Sequence, residues 1–310
     1  MELQAFGWVM FGGLGLAALG GCAAPVDGDD ADASTLDGTS DELGTKNKSY
    51  VTARVDTRKC MAPLCGGYFV RDVNRKQAER YVSGLDFGPS GLDPATQDLV
   101  RGAGELVLRG KLGPADPQFG TRAFLVYEAY RGMPGVTPIE GDVHYVAAPR
   151  DPHIECFAAP CNNEVATKLN FTAKTYFTGY SVELASLPLV DQDWLVNQVQ
   201  NHGAATAALI VDGQHFAGGY EKILDASQVY LRLPLAEGPC PKMPEPACGG
   251  GTVPTYTRSA DRCVVFDACV LPGSCAQVFP SCSDGYTLAT WQAGPLACPA
   301  FACDPSFTVE

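Results

Sequence analysis

Cys60-Met61-Ala62-Pro63-Leu64-Cys65 and, 96 residues further on, Cys156-Phe157-Ala158-Ala159-Pro160-Cys161 are two copies of one C-x4-C pattern. Each follows a matched opening, Tyr50-Val51-Thr52-Ala53 and Tyr145-Val146-Ala147-Ala148. Each precedes an alternating run that reads as a strand, Tyr68-Phe69-Val70-Arg71-Asp72-Val73-Asn74 and Val165-Ala166-Thr167-Lys168-Leu169-Asn170. A fixed period of this kind is the signature of a duplicated unit.

Working outward, both copies continue alike. Asp93 reads as a helix N-cap with Pro94 at the first helical position, where a missing N–H costs nothing. Leu99 and Val100 then face inward and Gly102 ends the helix. In the second copy Asp191 is the cap, Trp194, Leu195 and Val199 form the apolar stripe, and Gly203 is the stop. Strands follow, with Glu105–Gly110 matched to Ala208–Gly213 and Ala123–Tyr127 matched to Val229–Leu233. The expected fold class is α+β: tandem duplicated, mostly antiparallel sheet units, each with one helix, then a small disulfide-rich module. Repeat one is assigned to residues 50–143 and repeat two to 144–238. A pseudo-symmetric pairing would put any cleft between the copies.

Residues 239–310 form the cysteine-rich module. Cys240, Cys248, Cys263, Cys269, Cys275, Cys282, Cys298 and Cys303 fall in a short stretch dense in Pro and Gly. So small a segment buries little apolar surface, so disulfides are the expected support. Eight cysteines permit about 105 pairings, and the sequence does not choose among them.

The whole chain has 310 residues, 46% of them hydrophobic, enough for a sizeable core. Lys and Arg number 22 against 35 Asp and Glu, for a net charge of −13, which excludes nucleic acid as a partner. Thirteen cysteines point to an oxidising compartment. The cysteines expected in disulfides are Cys60, Cys65, Cys156, Cys161 and the eight of the C-terminal module. The alternative for the two C-x4-C pairs is one zinc ion held by four thiolates, although zinc ribbons use a tighter knuckle.

Residues 1–21 read as a signal peptide, uncharged from Leu3 to Gly21 and ending in Leu19-Gly20-Gly21-Cys22. The alternative, a membrane-spanning helix, fits poorly with six glycines in that window. The junction resembles a bacterial lipoprotein signal, which implies lipid attachment at Cys22 and anchoring by two or three acyl chains. Ala23-Ala24 lacks an inner-membrane retention aspartate, and that resemblance implies the outer membrane. Residues 22–49, rich in Asp, Gly, Ser and Thr, are expected to be a disordered acidic tether.

Cys60-x4-Cys65-Gly66-Gly67-Tyr68-Phe69-Val70-Arg71, with Val73-Asn74 after it, resembles a family of uncharacterised myxobacterial lipoproteins. The first copy matches well and the second loosely, because Asn162-Asn163 replaces the glycine pair. The resemblance implies a compartment and an architecture, and no activity.

No catalytic residue stands out. His144, His153, His202 and His215 share no motif and read as surface or helix-end residues. Gly88-Pro89-Ser90-Gly91 lacks the spacing of a nucleophile elbow. No phosphate or dinucleotide fingerprint is present, and no cofactor is expected. Met61, Leu64 and Phe157 are candidate contact residues on the short loops. The expected role is a lipid-anchored envelope module that binds a protein or polysaccharide without a chemical step. Two alternatives stand beside it. One is a hydrolase with a carboxylate pair between the repeats. The other is a protease inhibitor presenting Val270-Leu271-Pro272-Gly273-Ser274.

Overall fold

The computed structural model describes residues 47–308 apart from 149–153, 156–158, 185, 186, 188, 217, 218, 237, 243 and 245. Cys22, the signal and most of the tether therefore lie outside the described residues, as do Cys156, Phe157 and His153. The described residues belong to one compact unit.

The first copy runs β1 (Ser49–Val55), β2 (Tyr68–Asp72), β3 (Arg80–Val82), β4 (Leu85–Asp86), α1 (Pro94–Arg101), β5 (Leu106–Ala115) and β6 (Arg122–Gly132). The second repeats the order as β7 (Val143–Ala148), β8 (Glu164–Lys168), β9 (Lys174–Phe177), β10 (Gly179–Ser181), α2 (Gln192–Asn201), β11 (Ala205–Phe216) and β12 (Gly219–Leu233). Both helices begin where an aspartate accepts a backbone N–H, Thr96 to Asp93 Oδ1 and Trp194 to Asp191 Oδ1, each at 3.0 Å. Val100 is buried and Leu99 only partly so, while α2 buries Trp194, Leu195, Gln198 and Val199.

The copies do not form two sheets. They join into one 12-stranded sheet, in the order β3-β2-β1-β5-β6-β12-β11-β7-β8-β9, with β4 parallel to β6 and β10 parallel to β12. The seam is the antiparallel pair β6–β12, from Ala129 opposite Leu233 to Gly132 opposite Tyr230. Equivalent strands running antiparallel place the two helices on one face. There Val100, Leu106, Leu108 and Ala129 form one core, and Trp194, Leu195, Val229 and Leu231 another.

Hydrogen-bond register also corrects the matching of the copies. Val51 stands opposite Asp72 and Leu108, and Tyr145 stands opposite Lys168 and Thr206. Tyr50 is therefore the counterpart of His144, and the shared Tyr-Val-x-Ala lettering is one residue out of register. A slip of one exchanges the faces of a strand. In β5 and β11 the counterpart of Val107 is Ala205, since they face Tyr130 and Tyr230. Both pairs bulge at the same place, at Tyr127 and Ser227, which sets the two copies in phase.

On the other face the sheet curls until the starts of β1 and β7 meet. Asn74 and Asn170, read from sequence as strand ends, instead sit in turns at φ 61° and 65°. Asn170 Nδ2 donates to Tyr50 O (2.7 Å) and Val73 O (2.9 Å), and its Oδ1 accepts from Tyr50 N (2.6 Å). Asn74 reciprocates, donating to His144 O (2.8 Å) and Leu169 O (3.0 Å) and accepting from His144 N (2.7 Å). Each asparagine thus completes the strand start of the other copy. Behind this clasp lie Val73, Val107, Tyr130, Leu169, Ala205 and Tyr230.

The C-terminal module is two hairpins, β13 (Val253–Arg258) with β14 (Val264–Val270), and β15 (Tyr286–Ala293) with β16 (Cys298–Pro305). Disulfides join Cys240 to Cys263, Cys248 to Cys269, Cys275 to Cys298 and Cys282 to Cys303. The first cysteine pairs with the third and the second with the fourth, twice over. The module is thus a second duplication, and the cysteine spacing of its two halves is nearly the same. It is docked rather than tethered: Cys303 N donates to Leu189 O at 2.8 Å, and Tyr286 Oη to Pro134 O at 3.0 Å. Arg258, almost wholly buried, pairs with Asp304 at 2.6 Å and approaches the α2 cap Asp191 at 3.7 Å.

The groove expected to hold a site between the copies is filled. Phe307 packs against both helix-side cores, and the Arg131 guanidinium lies 4.3 Å from its ring centroid. Joining β6 to β12 leaves an apolar seam that must be covered, and the C-terminal segment covers it.

Candidate functional site

A cleft of about 390 Å³ opens beside the start of β7, away from the seam. The connection from β6 to β7 forms one wall. Gln228, fully buried, fastens that wall: its Nε2 donates to Val136 O (2.8 Å) and Met133 O (3.2 Å), and its Oε1 accepts from Met133 N (3.1 Å). Ile139 N donates to Ser227 Oγ at 3.4 Å, and Asp142 N to Ile139 O at 3.1 Å. Gly141, at φ 95°, makes the turn that delivers Asp142. Leu184, Leu209 and Ala226 supply apolar lining, and Glu183 and Asp225 add two exposed carboxylates.

Asp142 is 9% exposed, and neither carboxylate oxygen has a hydrogen-bond partner. A buried acceptor without a partner costs about 1–3 kcal/mol, and more when charged. Its neighbour His144 is mostly buried against Tyr230, ring centroids 5.7 Å apart, and is no surface histidine. Burial pushes that imidazole down to about 4, against the opposing pull of the Asp142 carbonyl and charge. His202 caps the end of α2, and the side chain of His215 lies outside the described residues.

The equivalent place in copy one is occupied from within. The counterpart of Asp142 is Lys48, and that of Ser227 is Tyr127; the Lys48 ammonium sits 3.8 Å from the Tyr127 ring centroid. Likewise the counterpart of Gln228 is Glu128, which accepts from Arg109 and from Tyr130 Oη, both at 2.7 Å. Burial pushes Glu128 up, but Tyr130 and Arg109 together outweigh it and hold the carboxyl below its ordinary value.

The residues singled out from sequence lie elsewhere. Cys60 is bonded to Cys65, and Cys161 is likewise in a disulfide, so none of these three offers a thiolate to zinc. Among the described residues no cluster of His, Cys, Asp and Glu can hold a metal ion. Met61 and Leu64 are exposed on their loop, which is tied down by Tyr81 Oη donating to Pro63 O at 2.8 Å. Leu271 is exposed on the link between the hairpins, where Gly273 N donates to Leu296 O at 2.9 Å. Asp142, Glu183, Asp225 and Gln228 were not foreseen. They come from separate segments and share no local spacing; the one available signal was the exchange of Lys48 for Asp142, hidden by the slipped register.

A duplicated curled sheet, a duplicated stapled module and an open acidic cleft characterise the described residues. The chain belongs to the family of the domain of unknown function DUF6748, which matches residues 49–235. It is 28% identical over 268 residues to an uncharacterised protein of Dictyostelium discoideum, covering 84% of this chain and 89% of that one. That alignment is longer than the family domain, so the likeness extends into flanking sequence. No solved structure matches the chain. The many disulfides place the described residues in an oxidising environment, and no described helix is long and apolar enough to cross a membrane.

Proposed function

We propose that the protein is an exported binding module, anchored to the cell envelope by lipid at Cys22, held off the membrane by its acidic segment, and acting without a chemical step. The observation that carries the binding role is the cleft with the unpartnered, buried Asp142 in its wall. Its volume falls near the lower end of the about 300–1,000 Å³ common for ligand sites. Outer-membrane location and an envelope protein or polysaccharide as partner belong to the same reading.

A fluorine-labelled fragment mixture holding cationic, neutral and anionic members, followed by NMR on the oxidised chain, tests the cleft. Fragments should bind unchanged to the native protein and lose binding on Ala226→Phe. If that variant binds every fragment as well as the native chain, the cleft is not the site. A carboxylate hydrolase is the second reading, favoured by three acids around one cleft, and turnover of any ester or glycoside fragment would put it first. The anchor is tested by Cys22→Ala: the variant should leave the membrane fraction, and continued partitioning with membranes defeats lipidation.

A further inference from the structure

We infer that the cleft receives the lysine or arginine side chain of an extended peptide segment, which adds as a strand to the open edge of β11. This rests on the binding reading above and names the partner's chemistry.

Three observations converge. The first is charge. Asp142, Glu183 and Asp225 line the cleft, no basic residue does, and the buried Asp142 oxygens lack any donor. In copy one the corresponding cation is internal, Lys48 on Tyr127. Copy two has Asp142 and Ser227 instead, so both the charge and the ring that filled the space are gone, and the cation must come from outside. The second is shape. Val136, Leu184, Leu209 and Ala226 offer an apolar path for a long aliphatic stem ending at Asp142.

The third is the sheet edge. β7 pairs with β11 only as far as Val143 opposite Ala208. Beyond it, among the described residues, Leu209–Asp212 pair with β12 on one side alone. Leu209, Ile210 and Val211 are 50%, 40% and 46% exposed. Open edges are ordinarily blunted by charge, lysine above all, and copy one obeys with Lys111 where copy two has Leu209. An added strand would continue the line of β7 antiparallel to β11, and its first residues would lie over the cleft that Leu209 borders.

The test uses the exported, oxidised chain and a blocked, labelled peptide of alternating Thr and Val around one central lysine. Fluorescence anisotropy should show binding that weakens with salt. Acetylating the lysine, or Asp142→Asn, should weaken it at least about tenfold, the loss of one charge-assisted hydrogen bond. Should Asp142→Asn misfold, the exposed Glu183→Gln with Asp225→Asn gives the same direction. Ile210→Lys with Val211→Lys, which charges the edge at two exposed residues outside the cleft lining, should weaken the peptide while leaving n-butylamine shifts at Val136 and Ala226 unchanged. Peptide binding indifferent to acetylation and to the acid variants overturns the inference. Butylamine binding as tightly as the peptide overturns the strand addition. If neutral or anionic fragments fill the cleft and the lysine peptide does not, the binding reading stands and this inference falls.

Discussion

The chain contains two duplications that reached stability by different means. In residues 49–235 the copies fuse: β6 pairs with β12, the asparagine clasp closes the far side, and two apolar cores fill the helix face. In the C-terminal module each hairpin keeps its own pair of disulfides, and none of the four crosses from one hairpin to the other. A lone two-stranded hairpin is marginal in water, whereas a wide sheet covered by helices is not. Copies large enough to bury apolar surface can share it; copies too small for that need covalent links. The fused copies differ at equivalent places: Glu128 is a charge partner where Gln228 fastens a loop, and Lys48 lies on Tyr127 where the cleft has Asp142 and Ser227.

Breaking the contact between the two duplications should give the largest effect. Arg258→Ala strips Asp304 of its 2.6 Å partner, leaving it Arg262 at 3.8 Å, and takes the nearby cation from Asp191; it should cost about 3–4 kcal/mol in urea unfolding, against little for the exposed Arg101→Ala. If both variants unfold alike, the module is not held by this ion cluster.

His144 sharpens the contrast between copies, because its counterpart Tyr50 does not titrate in the same range. With its folded value at about 4 against about 6.5 when free, the unfolded chain takes the proton first. Stability should therefore fall as pH drops from about 6.5 and level off below about 4, a loss of about 3 kcal/mol. His144→Phe should remove this component of the pH dependence of thermal unfolding. An unchanged slope between variant and native chain would show that the imidazole is solvated.

The clasp comes next. Asn170→Ala removes three hydrogen bonds and the residue type best suited to φ 65°, with an expected cost of about 2–3 kcal/mol. Asn74→Ala should match it, as its counterpart across the pseudo-symmetry. Unequal losses would show that one copy carries the closure. Smallest are the caps. Asp93→Ala should cost about 1 kcal/mol. Asp191→Ala should cost more, since Asp191 both caps α2 and faces Arg258. Equal losses would argue that the 3.7 Å approach contributes nothing.

The strand, helix and disulfide content was legible because it is local. Asp93 and Asp191 announce helix starts by bonding their own next turn. The alternation through Tyr68–Arg71 marks a half-buried strand, and eight cysteines in a core-poor segment mark a stapled one. Matching Tyr50 to Tyr145 by letter differs from the strand register for a physical reason. Letters align by identity, but strands align by which face each side chain must fill, and Val51 and Tyr145 fill the same one.

From the sequence alone came a duplicated, mostly antiparallel α+β chain, strongly acidic, with a disulfide-rich end. Tertiary structure decided the rest. That β6 would pair with β12, that Phe307 would close the seam, that Asn74 and Asn170 would trade hydrogen bonds, and that Asp142, Glu183 and Asp225 would surround one cleft all depend on residues far apart in the chain. Such contacts form because a sheet must satisfy its seam, its edges and its buried polar groups together, and no local spacing records how that is done.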